Sequence, residues 1–249
     1  MARAEVLRGV SWLLGTVREV REETAQARTL VLDVPGWPGH RAGQHVDVRL
    51  TAADGYTAVR SYSVASAAGA DVELTVVEVD GGEVSPYLVR SLAVGTVLEL
   101  RGPLGGWFVW HPDGGQPVQL VAGGSGVVPL MAMLRTRERL RDSTPMRLLY
   151  SVRDPDAALY TAELERLGRA AAGPQVRCFW TRRPPTGAPR RARLGAADLA
   201  AATWEPALVP TVFVCGPTGF VEAVTGLLVG LGHEPGRIRT ERFGGGGEP

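Results

Sequence analysis

The sequence contains no lysine, so the 27 basic residues among its 249 positions are all arginines. This absence excludes the phosphate-binding lysine of P-loop nucleotide hydrolases and any enzyme that forms a Schiff base through a lysine. The net charge is only +1 at pH 7, which provides no overall attraction to nucleic acid or to an anionic membrane. We therefore expect neither as a partner.

Cysteine and long apolar runs are also scarce. The two cysteines, Cys178 and Cys215, are too few for a four-cysteine iron–sulfur cluster or zinc site, so we expect no metal. No segment reaches the roughly 20 apolar residues that a membrane span needs. The short apolar run at 6–17 is followed by charged residues without a small-residue cleavage site, which argues against a signal peptide. These absences predict a cytoplasmic protein, and we expect it to be a monomer.

The length favours two domains over one. Up to about residue 112, apolar residues alternate with a period near two in short segments separated by Gly, Pro and Asp turns, which is typical of an antiparallel barrel or sandwich. The segments are 29–34, 46–50, 58–64, 72–79 and 96–101. One exception is 85–92, which predicts a short helix with Ser85 at its N-cap and Pro86 at its first position.

The segment 111–115 interrupts this pattern and predicts a domain junction, with domains at 1–113 and 114–249. Beyond it, strands alternate with helices, which predicts a parallel sheet with right-handed crossovers. The predicted strands are 118–122, 147–152, 176–180 and 211–215, and the predicted helices are 127–141, 160–171, 195–202 and 219–231. The Pro- and Arg-rich segment 184–193 predicts a loop, and 244–249 a disordered tail.

Two motifs in the first half suit a ligand with a planar ring and a phosphate. On a strand, Arg60 and Tyr62 share one face and Ser61 lies on the other, so arginine and tyrosine can contact one ligand together. In the segment 81–85, Gly-Gly-Glu-Val-Ser, the glycines let the backbone approach a ligand, and the helix start offers N–H groups to an anion. Taken alone, these motifs are also typical of an ordinary barrel strand and an N-capped helix.

Two more motifs follow strands of the second half. The segment 118–129 predicts a strand, a glycine turn and a helix start, an arrangement that suits a diphosphate. It departs from the G-x-G-x-x-G pattern because Pro129 takes the last position. Cys215-Gly-Pro-Thr-Gly219 ends the last strong parallel strand, at the sheet edge where ligands of such folds bind. Alone, the first is also typical of a tight strand–helix connection and Cys215 of a buried small thiol.

These four motifs, in this order, resemble the ferredoxin–NADP reductase family of flavoproteins over about residues 12–244. The resemblance implies an N-terminal antiparallel Greek-key β-barrel that binds flavin and a C-terminal parallel α/β domain that binds NAD(P). FAD is favoured over FMN by the helix after the second motif. Members fused to an iron–sulfur domain continue beyond 244, so we expect a form without that fusion.

The resemblance also implies roles for individual residues. Ser63 would lie near the flavin N5, Cys215 beside the nicotinamide C4, and Glu241 with Phe243 at the flavin face opposite the stacked Tyr62. Ser63, Cys215 and Glu241 are therefore the predicted catalytic residues. The predicted cofactor-binding residues are Arg60, Ser61, Tyr62, Ser63, Val77, Gly82, Val84, Ser85, Phe243, Gly124, Ser125, Gly126, Arg153, Thr181, Arg182, Gly216 and Pro217.

The coenzyme depends on the groups near the adenosine ribose. Arg153, Thr181 and Arg182 follow strands where relatives hold a 2′-phosphate, so NADPH is favoured, whereas Asp154 argues for NADH. The predicted function is hydride transfer from NAD(P)H to FAD, then electron transfer to a separate protein: a ferredoxin, an oxygenase or a metal-cofactor oxidoreductase. One alternative is a reductase of free flavin or ferric chelates, which turns over without added protein. Another is a non-catalytic nucleotide-sensing subunit.

Overall fold

The computed structural model describes residues 11–52, 54–112, 115–188 and 193–243. Parts of four predictions lie outside these ranges: the beginning of the apolar run at 6–10, the junction at 113–114, part of the loop at 189–192 and the tail at 244–249.

The first half forms a six-stranded antiparallel sheet in the order β4-β3-β6-β1-β2-β5. Its strands are β1 (Trp12–Thr24), β2 (Ala27–Asp33), β3 (His45–Thr51), β4 (Thr57–Ser63), β5 (Val72–Val77) and β6 (Val97–Leu104). A bridge between Val64 and Leu74 connects the two ends of this order and closes the sheet into a barrel. The barrel interior is filled by buried aliphatic side chains such as Leu30, Leu74 and Leu100. The predicted antiparallel barrel is confirmed.

Two local predictions in this half are corrected by the structure. The sequence analysis did not recognise β1, because most of its residues are exposed or half-buried and many are charged. The predicted helix at 85–92 is present as a short helical segment at 85–91, of which Tyr87–Ser91 form a π-helical turn that follows Pro86. The Ser85 hydroxyl does not cap it but accepts a hydrogen bond from the Val79 N–H at 3.0 Å.

The second half forms a five-stranded parallel sheet in the order β11-β10-β7-β8-β9. Its elements are β7 (Val118–Gly123), α1 (Val127–Leu140), β8 (Met146–Val152), α2 (Thr161–Arg169), β9 (Gln175–Trp180), α3 (Ala196–Ala202), β10 (Thr211–Pro217), α4 (Thr218–Gly230) and β11 (Ile238–Phe243). β7 is buried along its whole length, as expected for a central parallel strand covered on both faces. The predicted parallel α/β architecture is confirmed.

The strand order places a crevice at the centre of the parallel sheet. From β7 the chain continues to β8 on one side, whereas β10 pairs with β7 on the other side. Ligands of open α/β sheets bind at such a reversal, outside the carboxyl ends of the strands. The glycine turn after β7 and the Cys215 segment of β10 both lie there. In the described part of the chain, no helix is long and apolar enough to cross a membrane.

Candidate functional site

The three predicted catalytic residues lie at the meeting point of the two halves. Cys215 of β10 and Glu241 of β11 are paired neighbours in the parallel sheet. Ser63, at the end of β4, donates a hydrogen bond from its hydroxyl to Oε1 of Glu241 at 3.3 Å. A cavity of about 360 Å³ borders this pair, and Ser61, His45 and Phe243 also line it.

Burial changes the protonation of two of these groups. It raises the pKa of Glu241 to about 7, against the opposing effect of the hydrogen bond from Ser63. Burial also raises the pKa of the Cys215 thiol, and the nearby Glu241 carboxylate raises it further. Cys215 is fully buried, so it is a neutral thiol at physiological pH rather than a nucleophilic thiolate. Glu241 changes charge near neutral pH.

Successive side chains of β4 point to opposite faces of the sheet, and this alternation decides where the predicted flavin-binding residues lie. Ser61 faces away from Arg60 and Tyr62, and its hydroxyl donates to Asp47 Oδ1 at 2.7 Å. Burial raises the pKa of Tyr62 to about 12, with the nearby Arg60 acting in the opposite direction. Tyr62 therefore presents an uncharged aromatic side chain close to a guanidinium group.

Arg60 connects the two predicted flavin motifs. Its Nη2 donates to Oε2 of Glu83 at 2.8 Å, which joins β4 to the segment 81–85. Val84 and Ser85 of that segment are buried. A Cβ at Gly82 would lie 3.0 Å from the Val79 carbonyl oxygen and 3.1 Å from the Ser85 hydroxyl. The arginine, the glycine and the serine that the resemblance assigns to one cofactor are thus neighbours.

A cavity of about 790 Å³ lies between the barrel and the carboxyl edge of the parallel sheet. The barrel contributes a wall that includes Ala27 and Val77. The following predicted residues also line the cavity: Gly124, Ser125, Arg153, Thr181, Arg182 and Pro217. The structure therefore gathers these residues from six separate segments into one space.

The glycine turn after β7 has two backbone requirements. Gly124 has φ = +54°, a left-handed conformation that glycine adopts without strain. At Gly126, an added Cβ would lie 2.1 Å from the carbonyl oxygen of Cys215. The residue at 126 must therefore be glycine for the turn to pack against β10. This contact holds the turn beside the Cys215 segment.

Charged groups line the part of this cavity formed by the ends of β8 and β9. Arg153 and Arg182 lie there as predicted, together with Arg193 and Asp156. Asp156 forms an ion pair with Arg183. Asp154, which we considered in favour of NADH, instead caps a short 3₁₀ turn by accepting the Ala157 N–H at 3.1 Å.

Arg193 and Asp156 line this cavity without having been predicted from the sequence. Arg193 lies in the Pro- and Arg-rich loop, where the arginine content was the only available signal. No motif distinguishes Asp156, because its proximity to the cavity depends on the turn that Asp154 caps. Within the described ranges, no group of three or more His, Cys, Asp or Glu side chains is arranged to hold a metal ion.

Two family models match the chain. One describes an oxidoreductase FAD-binding domain and matches residues 15–109, and the other describes an oxidoreductase NAD-binding domain and matches residues 120–226. Ferredoxin–NADP reductase B of Sorangium cellulosum is 33% identical over 236 residues, which is 91% of each chain. The predicted family resemblance is confirmed.

Further relatives cover most of the chain. The ferredoxin–NAD(P)(+) reductase component of the naphthalene 1,2-dioxygenase/salicylate 5-hydroxylase systems from a Ralstonia species is 29% identical, over 92% of this chain and 68% of that one. Among solved structures, the flavohem-like FAD/NAD-binding domain of nitric oxide dioxygenase from Vibrio cholerae matches with a TM-score of 0.82 and 26% identity. It covers 94% of this chain and 99% of that one.

Proposed function

Because the chain belongs to the ferredoxin–NADP reductase family and is an FAD-containing NAD(P)H oxidoreductase, we propose that it delivers electrons from NAD(P)H to a separate redox protein. When bound, FAD accepts a hydride from the reduced nicotinamide and releases the electrons to the acceptor. The residues around the two cavities would hold both cofactors and bring their reacting atoms together, since such a transfer needs those atoms about 3–3.5 Å apart.

The residues of the barrel fit a flavin dinucleotide. Tyr62 provides a neutral ring for stacking, and Arg60 provides a cation that already reaches the segment 81–85. Both members of the Arg60–Glu83 pair are about half exposed, and such pairs contribute only about 0–1 kcal/mol. The guanidinium can therefore exchange this carboxylate for a diphosphate at little cost. The Ser85 hydroxyl accepts from Val79 and retains its own proton for donation to a phosphate oxygen.

The convergence of Ser63, Glu241 and Cys215 is the observation that carries the proposal. These residues come from three strands, and Ser63 and Glu241 are 178 positions apart. In the proposed site, Cys215 is a fully buried, neutral thiol at the end of β10, which keeps water out beside the nicotinamide and does not react. Ser63 Oγ and the Glu241 carboxyl hold a proton beside the flavin, because Glu241 titrates near pH 7.

The proposed coenzyme is NADPH. Its 2′-phosphate would lie against Arg153, Arg182 and Thr181, all of which line the cavity. Arginine suits this group because its planar fork can donate two hydrogen bonds to one phosphate. Asp156, the carboxylate in the same cavity that would repel a phosphate, is paired with Arg183. The balance of charge therefore favours the phosphorylated ribose.

The proposed electron acceptor is a separate small redox protein, such as a ferredoxin. The support comes from the relatives, one named a ferredoxin–NADP reductase and the other a reductase component of dioxygenase systems. Acceptors of that kind are proteins, whereas a reductase of ferric chelates or free flavin would turn over without one.

Spectra of the purified protein test this proposal. We expect a flavin band that bleaches under anaerobic NADPH faster than under NADH, and whose reoxidation is accelerated by added ferredoxin. Fast steady turnover on ferric chelate, with no acceleration by any redox protein, would instead favour the small-molecule reductase. A flavin band that neither coenzyme bleaches would instead favour the remaining alternative, a non-catalytic nucleotide-sensing subunit.

The coenzyme assignment has its own test in Arg182→Ala. We expect the Kd for NADPH to rise at least about tenfold, since a charge-assisted hydrogen bond is lost, and the Kd for NADH to change less than about twofold. Arg166→Ala is the matched control, because Arg166 is an exposed arginine paired with Glu138 on a different surface. Equal loss of affinity for both coenzymes would contradict the assignment of the 2′-phosphate to this position.

A further inference from the structure

The guanidinium group of one buried arginine makes hydrogen bonds to both halves of the protein. Arg135 lies in α1, the helix that begins directly after the glycine turn. Its Nη1 donates to the Ala65 carbonyl oxygen at 2.9 Å and to Glu73 Oε2 at 3.1 Å, both in the barrel half. Its Nε and Nη2 donate to the two carboxylate oxygens of Glu163 in α2, at 2.9 and 2.6 Å.

This group is shielded from solvent, and these four hydrogen bonds use four of its five N–H donors. The Arg135 side chain is only 14% exposed, and its guanidinium lies 5.0 Å from the centre of the Tyr160 ring. The Tyr160 hydroxyl in turn donates to the buried Thr75 hydroxyl of β5. Fork-shaped pairing of arginine with a carboxylate constrains orientation as well as distance, so Glu163 fixes the guanidinium within the α/β half and holds its Nη1 against Ala65 and Glu73 of the barrel.

The two barrel residues that Arg135 contacts are close along the chain to residues of the proposed cofactor site. Ala65 lies two residues beyond Ser63, which contacts Glu241. Glu73 lies on β5, whose last residue, Val77, lines the coenzyme cavity. At the other end, α1 begins after Ser125, on the opposite wall of that cavity. Arg135 thus connects the helix that follows the glycine turn to the barrel segments that adjoin Ser63 and Val77.

We propose that Arg135 is a positioning residue for hydride transfer, which sets the distance between the nicotinamide and the flavin by joining α1 to the barrel through Ala65 and Glu73. It touches neither cofactor. Its loss lets the two halves separate or rotate slightly while each keeps its own binding residues. Since a displacement of about 1 Å can slow a reaction by about 10²-fold, the hydride step is affected before cofactor affinity is.

The test is Arg135→Gln compared with Arg137→Gln. Arg137 lies on the same helix and is also buried, but it donates to the carbonyl oxygens of Thr144 and Ala172, within the α/β half. Stopped-flow reduction of the FAD-loaded enzyme, with NADPH and with its 4-deuterated form, gives the limiting rate, the Kd and the isotope effect. Thermal unfolding gives the stability of each variant.

We expect Arg135→Gln to slow the limiting rate at least about tenfold, to change the primary isotope effect and to leave the Kd within about twofold. Arg137→Gln should lower the unfolding temperature similarly but keep the wild-type rate. Equal rates in Arg135→Gln and wild type, or equal slowing in both variants, would overturn the inference. Failure of the proposed function is distinguishable, because it shows in the wild type: either no coenzyme reduces its flavin, or no added redox protein accelerates the reoxidation.

Should Arg135→Gln fail to fold, Glu73→Gln separates the same contacts from the barrel side. It removes the charge partner in the barrel and leaves the paired hydrogen bonds to Glu163 intact. We expect slower hydride transfer at unchanged coenzyme affinity in this variant as well, and a wild-type rate would count against the proposal.

Discussion

Replacing Glu241 by Gln removes a carboxyl group whose protonation is linked to folding. Burial raises the pKa of this group from 4.5 to about 7 in the folded protein. A carboxyl group that binds its proton more tightly when folded contributes stability that is complete below pH 4.5. This contribution decreases as the pH rises and is lost above about pH 7.

The magnitude follows from the two pKa values. At about 1.4 kcal/mol for each pKa unit, the difference between 4.5 and about 7 corresponds to about 3 kcal/mol. Glu241 is half-buried, and partial contact with solvent reduces this figure to about 2 kcal/mol. Between pH 4.5 and 7.5, the free energy of unfolding of the wild type should therefore fall by about 2–3 kcal/mol relative to that of Glu241→Gln.

Urea unfolding of both proteins, at pH intervals of half a unit and one fixed concentration of free FAD, measures this difference. Ser63→Ala is an informative control, because Ser63 donates the hydrogen bond that lowers the pKa of Glu241. Without it, the loss of stability should extend to higher pH. If the difference in the free energy of unfolding between wild type and Glu241→Gln does not vary with pH, the raised pKa of a buried Glu241 carboxyl group is refuted.

Three further substitutions test positions in the α/β half. Gly126→Ala should destabilise the protein by about 1–3 kcal/mol through overpacking, because the new methyl group would meet the Cys215 carbonyl oxygen at 2.1 Å. Gly226 lies in α4, and no atom lies within 4 Å of a Cβ added there. Gly226→Ala should therefore stabilise the protein by about 0.5–1 kcal/mol. Equal unfolding midpoints of the two variants would contradict both expectations. Cys215→Ala should slow flavin reduction in stopped flow more than it raises the coenzyme Kd, and an unchanged rate would discard its place beside the nicotinamide.

The errors in the sequence analysis have identifiable physical causes. Ser85 has the residue type and the following proline that favour an N-cap, but its hydroxyl is used by the Val79 N–H, a contact across a loop. Tyr160 is the first residue of a predicted helix at 160–171, yet it adopts φ = +57° at the N-cap and the helix begins at the next residue. Its hydroxyl bonds to Thr75 of the barrel. In both cases a tertiary contact outweighs the local preference.

The amino-acid sequence by itself determined the two-part architecture and the positions of its glycine turns. Strand and helix periods, and the steric freedom of glycine, are local properties that can be read over a few neighbouring residues. Only the tertiary structure decided that Ser63 meets Glu241, that Arg183 pairs with Asp156 and that Arg135 bridges the halves. Such contacts depend on how two sheets pack against each other, and packing places side chains from distant segments within hydrogen-bonding distance.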